Sequence, residues 1–184
     1  MTPAHPPAAG PLSSIRVVDL TQVVSGPAAM GTLASQGAEV IKVEALSGDV
    51  TRRSRQKSPG FAPSYIACNS GKQAIALDLK NPATADILWR LIERADVFAQ
   101  NFRPGAIERL GFGAEAVMAR NPKLVYLSIN GVGETGPYAS KRVYDPIIQA
   151  LSGMAHIQAD PTSGRPKMVR TLAVSYTHLT LPTT

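Results

Sequence analysis

The chain has 184 residues, of which 44% are hydrophobic, and a formal net charge of +6. This length supports one domain with a substantial core and disfavours two. No apolar run approaches the length of a membrane span, and a single cysteine, Cys68, excludes an internal disulfide. No cysteine and histidine cluster has zinc spacing, so we expect no metal site and interpret Cys68 as a buried structural thiol.

The N-terminus carries Pro3, Pro6, Pro7 and Pro11, where a secretory signal peptide needs an apolar core. We therefore interpret residues 1–11 as a disordered leader and expect a cytoplasmic protein with no membrane partner.

The excess of positive charge favours an anionic partner. One basic cluster, Arg52, Arg53, Arg55 and Lys57, lies in a stretch rich in glycine, proline and serine. Aromatic residues make up only 5% of the chain, and no RNP motif, zinc finger or basic helix with heptads is present. A phosphate-bearing small molecule is therefore favoured over a nucleic acid, and a solvated basic loop is the alternative.

The stretch 15–27 reads as a strand, a polar turn and the start of a helix. Residues 15–20 are short and β-branched, which is typical of a buried strand in a parallel sheet. Gly26-Pro27 predicts a helix start with Pro27 at the first helical position. Residues 21–25 then lie at the carboxyl edge of the sheet and form the first candidate ligand site. The alternative is an ordinary turn in which Ser25 or Gly26 caps the helix.

Four further strands are predicted from apolar runs at 38–44, 74–79, 96–100 and 124–129. Helices are expected at 28–36, ended by Gly37, after Asn81-Pro82, and at 106–120 with a break near 111–113. Residues 45–63 lack periodicity and predict a long loop, and Trp89 is expected to be a packing residue. This alternation predicts an α/β fold with a doubly wound, mostly parallel sheet.

The glycines of the chain do not form a nucleotide motif. The first turn has one glycine instead of the dinucleotide fingerprint, and no Walker A sequence occurs. Gly131, Gly133 and Gly136 follow a strand, but Pro137 argues against a phosphate loop. They predict a mobile flap or a turn with positive φ, and a flexible turn without chemistry is the alternative.

Six segments carry a more specific signal. They are VVDLTQVVSGP, GAEVIKVE followed by SGD, IALDLK, ADVFAQNFRPG, GETGPY and YDPIIQALSG. In this order and spacing the chain resembles the N-terminal part of a family III CoA-transferase. The resemblance implies that residues 12–174 are the N-terminal part of a Rossmann-like large domain, truncated from a fold that forms an interlocked homodimer. It also implies acyl-CoA and a small carboxylic acid as substrates.

The resemblance also assigns site residues. The positions that match the coenzyme A contacts of the family are Gln22, Val23, Val24, Ser25, Leu77, Asn101, Phe102, Arg109, Arg142 and Tyr144. The loop with Gly131, Gly133 and Gly136 matches a mobile loop that would cover a reactive anhydride against water. Ala45 departs from relatives that carry an arginine there, and Arg52 or Arg53 is expected to compensate.

The family uses an aspartate as nucleophile, which attacks the thioester and gives first a mixed anhydride and then an aspartyl-CoA thioester. The resemblance places it near residue 175, where this chain has Ser175. Residues 175–184 resemble adapter read-through, so we expect a gene cut off at the nucleophile, an inactive fragment and a non-native or disordered tail. Asp145 is the nearest substitute but matches another motif position.

Three other functions remain open at this point. An α-methylacyl-CoA racemase shares the fold but has a histidine before the aspartate where this chain has Tyr144-Asp145, which favours a transferase. A non-catalytic CoA-binding or dimerisation module fits the missing aspartate. A nucleotide-binding domain that uses NAD is disfavoured because the fingerprint is absent.

Overall fold

A computed structural model describes residues 10–53 and 62–168 of the chain. Five parallel strands form one sheet in the order β3-β2-β1-β4-β5. They are β1 Arg16–Asp19, β2 Glu39–Glu44, β3 Gln73–Ala76, β4 Val97–Gln100 and β5 Val125–Ser128. The order 3-2-1-4-5 is that of the first five strands of the common doubly wound sheet, which confirms the predicted fold class.

The described helices are α1 Ser25–Ser35, α2 Pro63–Asn69, α3 Pro82–Ile92, α4 Ala106–Arg109, α5 Ala114–Arg120, α6 Asp145–Leu151 and α7 Met154–Ile157, with a 3₁₀ turn at Val50–Arg53. Apart from shifts of one to three residues at their ends, the five predicted strands are confirmed. The break near 111–113 is also confirmed, since it separates α4 from α5.

The sheet has a core on each face, because successive residues of a buried strand point to opposite sides. Val17 packs with Met30 of α1 on one face, whereas Val18 packs with Leu88 and Ile92 of α3 on the other. All five residues are at most 3% exposed.

The start of α3 follows its sequence signature. The Asn81 side chain accepts a hydrogen bond from the Ala83 N–H at 3.0 Å, and Pro82 is the first helical residue. Trp89 of α3 packs against Phe112 with ring centroids 4.8 Å apart, which confirms the expected packing role.

The predicted start of α1 is wrong. The helix begins at Ser25, so Pro27 is its third residue, and Val24 is at the cap position with no side-chain cap. Neither Ser25 nor Gly26 caps the helix. Proline is tolerated there because the first turn of any helix has free N–H groups. Gly26 is required for another reason: a Cβ at this position would lie 2.3 Å from the Thr21 Cβ.

Two elements in the region of the predicted loop 45–63 were not foreseen, the 3₁₀ turn at Val50–Arg53 and α2 from Pro63. Helix α2 has only seven residues and therefore too little length for a helical period. It buries Cys68, as expected, and burial raises the pKa of that thiol.

Several predictions lie outside the described residues: the leader before residue 10, Arg55 and Lys57, Ser175, and the tail 175–184. In the ranges 10–53 and 62–168, no helix has the length and hydropathy that a membrane span requires.

Candidate functional site

The switch point of the sheet lies between β1 and β4, where the connections change direction and leave a crevice at the carboxyl edge. A cavity of about 320 Å³ opens there, lined by residues 22–23, 101–104, 129–133, 139 and 141–144. Of the predicted site residues it contains Gln22, Val23, Asn101, Phe102, Gly131, Gly133, Arg142 and Tyr144.

A second cavity of about 460 Å³ adjoins the first, lined by residues 20, 22, 43–47, 77–80, 102 and 110. Leu77, a predicted site residue, is buried in its wall. Gln22 and Phe102 line both cavities, so the two form one elongated cleft across the strand ends. Lys80 also lines the second cavity and was missed, although it ends the segment IALDLK that carried part of the resemblance.

The turn after β1 is held by side chains. The Asp19 carboxylate accepts from the Thr21 N–H at 2.9 Å, and Lys42 Nζ donates to the Thr21 carbonyl at 2.8 Å. The Gln22 N–H donates to Asn101 Oδ1 at 2.9 Å, and Asn101 Nδ2 donates to the Gln22 carbonyl at 2.8 Å. The floor of the cleft therefore has a fixed backbone.

The next residue, Val23, has a φ of 72°, the one positive φ of a non-glycine residue in the described ranges. A β-branched residue in the left-handed region is strained by about 1–3 kcal/mol. Such strain persists only where the surroundings fix the backbone, and it is common in ligand sites. Sequence reasoning had no signal for it, because valine favours extended backbone.

Two buried ion pairs lie beneath this turn. Lys72 Nζ is 2.8 Å from Asp19 Oδ2, and Lys42 Nζ is 3.2 Å from Asp49 Oδ2, with all four side chains at most 1% exposed. Burial lowers the pKa of the Lys72 ammonium, and the charge of Asp19 opposes this effect. The Asp19–Lys72 pair connects β1 to the turn between α2 and β3, and the Lys42–Asp49 pair connects β2 to the loop after it.

A third network holds the loop that borders the second cavity. Glu44 accepts two hydrogen bonds from Arg52, each 2.7 Å, one from the Tyr65 hydroxyl and one from the Asp49 N–H. Burial raises the pKa of Glu44, but these hydrogen bonds outweigh it and lower the pKa to about 2. Arg52, expected to replace the arginine absent at Ala45, is thus bound to a carboxylate of the chain itself.

The glycine-rich loop after β5 closes the other side of the cleft. Gly133 and Gly136 have φ of 87° and 91°, which confirms the predicted turn with positive φ. Gly131 is required by close packing, because a Cβ there would lie 2.0 Å from Val143 Cγ2. Asn130 Oδ1 accepts from the Gly133 N–H at 2.6 Å.

The same loop is tied to the sheet by side chains. Ser128 donates to the Glu134 carboxylate and accepts from Gln100 Nε2, the latter at 2.9 Å. Gln100 Oε1 in turn accepts from the Phe102 N–H at 2.7 Å. This chain of hydrogen bonds connects the loop to the turn after β4.

Comparison with known proteins decides the family. The sequence profile of CoA-transferase family III matches residues 12–178. The chain belongs to CoA-transferase family III.

Its relatives in this family include two curated enzymes. The chain is 43% identical to a formyl-CoA:oxalate CoA-transferase of Streptomyces coelicolor over 77% of its own length and 35% of that enzyme. It is 42% identical to a succinate–glutarate CoA-transferase of Agrobacterium fabrum over 85% of its own length and 41% of that enzyme.

A solved structure of the same family agrees with the fold. The crystal structure of a CaiB/BaiF family protein from Brucella suis has a TM-score of 0.85 and 34% identity, and the match covers 91% of this chain and 45% of that chain. The chain therefore spans less than half the length of these three relatives.

Three predicted coenzyme A contacts of the family lie outside both cavity walls: Val24, Ser25 and Arg109. Arg109 is exposed on α4, and its guanidinium turns back to Gly105, where an added Cβ would lie 3.0 Å from it. Ser25 Oγ is buried and has no hydrogen-bond partner within the described residues.

The first cavity is basic. Arg103, Lys141 and Arg142 line the first cavity, and its lining contains no aspartate or glutamate. Asp145 is the first residue of α6, and its carboxylate accepts a hydrogen bond from Gln149 Nε2 at 2.5 Å. The described residues also contain no group of three or more potential metal ligands.

Proposed function

We propose that this chain is the coenzyme A-binding part of an enzyme that moves CoA between an acyl-CoA and a carboxylic acid. The observation that carries the proposal is the elongated cleft at the switch point, in which two cavities join at Gln22 and Phe102. Doubly wound folds bind ligands at this position, and cavities of this size are typical of cofactor sites.

The chemistry of the lining fits the two ends of CoA. The second cavity combines apolar side chains such as Leu77 and Leu79 with Lys80, which suits an adenine ring and a phosphate. Its lining also contains two acidic residues: Glu44 is paired with Arg52, and Asp78 accepts from the Lys80 N–H. The first cavity combines Phe102 with the basic residues Arg103 and Arg142, which suits the pantetheine arm and an anionic acyl group or acid. We therefore assign the nucleotide to the second cavity and the thiol end to the first.

In the proposed reaction an aspartate carboxylate attacks the acyl-CoA carbonyl, and a mixed anhydride forms as the CoA thiolate leaves. The thiolate then attacks the aspartyl carbonyl, which gives an aspartyl-CoA thioester and releases the first acid. The acceptor carboxylate repeats these steps in reverse and departs as the new acyl-CoA. N–H groups of the glycine-rich loop are suited to the oxyanions that form.

Ser175 cannot supply the carboxylate that this reaction needs. The first cavity offers no acid either, and Asp145 is not among its lining residues. We therefore infer that the 184-residue chain binds CoA but does not transfer it. We infer that CoA transfer belongs to the longer proteins of the family, acting as cytoplasmic homodimers. The exposed apolar side chains of Ile147, Leu151 and Ile157 are suited to contacts in such a dimer.

Calorimetric titration of the chain with CoA tests binding, with Lys80→Gln as the test variant and Lys123→Gln as its control. Lys123 is exposed just before β5, at the opposite edge of the sheet. Lys80→Gln is expected to weaken binding about tenfold, since a charge-assisted hydrogen bond is lost, whereas Lys123→Gln leaves it unchanged. A folded chain that does not bind CoA would overturn the proposal.

Transfer is measured separately, as exchange of labelled carboxylic acid into acyl-CoA. We expect no exchange by the 184-residue chain. Exchange at an enzymatic rate would show that a group other than an aspartate at position 175 acts as the nucleophile.

A further inference from the structure

Thr21 and Gln22, in the turn after β1, have all four of their backbone polar groups bonded to side chains. The Thr21 N–H donates to Asp19, and the Thr21 carbonyl accepts from Lys42. The Gln22 backbone N–H and carbonyl both bond to the carboxamide of Asn101. Side chains from β1, β2 and the turn after β4 therefore fix the backbone that precedes residue 23.

That next residue is Val23, whose φ is 72°. Left-handed backbone crowds a β-branched side chain, so a free turn would leave this conformation. Val23 keeps it at the wall of the first cavity. The conformation therefore depends on how firmly the preceding backbone is held.

Lys42 is the buried member of this arrangement. Its side chain is 1% exposed on β2, and its ammonium lies 2.8 Å from the Thr21 carbonyl and 3.2 Å from Asp49 Oδ2. Lys42 is not among the residues that line either cavity. The Thr21 carbonyl accepts a hydrogen bond from this ammonium and Asp49 supplies its counter-charge, so loss of Lys42 would leave both groups without their buried partner.

We propose that Lys42 is a positioning residue for the coenzyme: its ammonium fixes the Thr21 carbonyl and thereby keeps Val23 in the left-handed conformation at the thiol end of the cleft. This inference rests on the proposed function. Because Lys42 acts through the turn, its loss should affect the part of CoA in the first cavity and spare the nucleotide in the second.

The test chain is Lys42→Met/Asp49→Asn, which removes both charges of the buried pair, and the wild type is the reference. Either substitution alone would leave a buried charge without its counter-ion. Thermal melting verifies that both fold. Lys42→Gln/Asp49→Asn, which keeps a polar side chain at position 42, replaces the test chain if the latter does not fold. Calorimetry then measures binding of CoA and of adenosine 3′,5′-diphosphate, which contains only the nucleotide end.

We expect the test chain to bind CoA about tenfold more weakly than the reference does. Its affinity for adenosine 3′,5′-diphosphate should stay within about twofold of the reference value. Adding Val23→Gly to the test chain should raise its CoA affinity about threefold, since glycine adopts positive φ without strain.

Equal CoA affinity of test and reference chains would overturn the inference and leave the proposed function intact. A parallel loss of both ligands, with no recovery by Val23→Gly, would also overturn it, because a purely structural role weakens the whole cleft. A folded wild-type chain that does not bind CoA would overturn the proposed function, and this inference with it.

Discussion

The carboxamide of Asn101, in the turn after β4, exchanges two hydrogen bonds with the backbone of Gln22, in the turn after β1. Asn101 Oδ1 accepts from the Gln22 N–H at 2.9 Å, and Asn101 Nδ2 donates to the Gln22 carbonyl at 2.8 Å. The two strands flank the switch point of the sheet. One side chain thus joins the two turns between which the proposed coenzyme lies.

Asn101→Leu is expected to lower the free energy of unfolding by about 1–3 kcal/mol, because the backbone N–H and carbonyl of Gln22 lose their partner. It should also abolish measurable CoA binding. Asn121→Leu is a matched control: Asn121 Nδ2 donates to the carbonyls of Ile92 and Ala95, away from the cleft. Urea unfolding and calorimetry of both variants separate the effects, and equal CoA affinity in the two would contradict the role of Asn101.

The buried Asp19–Lys72 pair makes a prediction about stability. Lys72→Met leaves the Asp19 carboxylate without its counter-ion and is expected to cost about 3–5 kcal/mol. Lys72→Met/Asp19→Asn removes both charges and should recover most of that loss. Denaturant titration of the wild type, both single variants and the double variant measures the coupling, and additive losses would show that the pair does not interact.

Glu44 predicts how stability depends on pH. Its pKa in the folded chain is lowered from 4.5 to about 2, so its contribution is complete above pH 4.5 and is lost as the pH falls through 2. The stability difference between the wild type and Glu44→Gln should therefore shrink by about 2 kcal/mol over this range.

Asp160 titrates in the same window, since its hydrogen bond with Lys167 lowers its pKa to about 2. It is present in both chains, so the comparison cancels its effect. Denaturant unfolding at several pH values gives the difference, and a constant difference from pH 5 to pH 2 would show that the folded pKa of Glu44 is ordinary.

Gly26→Ala tests the close approach of α1 to the turn after β1. The added Cβ would lie 2.3 Å from the Thr21 Cβ, so the backbone must move. We expect a loss of about 2 kcal/mol or more and weaker CoA binding. Ala28→Gly, on the exposed side of the same helix, is the control and should cost about 1 kcal/mol with no effect on binding. Unchanged stability of Gly26→Ala would show that α1 shifts without penalty.

The strands were predictable because they are short β-branched runs, and α3 was predictable because Asn81-Pro82 is a strong helix start. Residues such as Gln22 and Asn101 could be placed at one edge, since parallel strands bring their carboxyl ends together. The family resemblance located further lining residues, among them Leu77 and Arg142, which local patterns alone did not single out.

What the sequence did not reveal are the interactions that hold the site in place. In the sequence, Lys42 and Lys72 have the pattern of ordinary polar residues. Their burial depends on ion pairs with Asp49 and Asp19, and no sequence motif indicates either pair. The left-handed Val23 contradicts the local preference of valine, and tertiary hydrogen bonds impose it. Local propensity cannot report interactions of this kind.

A crystal structure of the chain soaked with CoA tests most directly whether CoA lies along the carboxyl edge of the sheet. We expect the adenine beside Leu77 and Lys80 and the pantetheine arm passing between Gln22 and Phe102 towards the glycine-rich loop. Density for CoA at another surface, or an empty cleft at saturating CoA, would contradict the account.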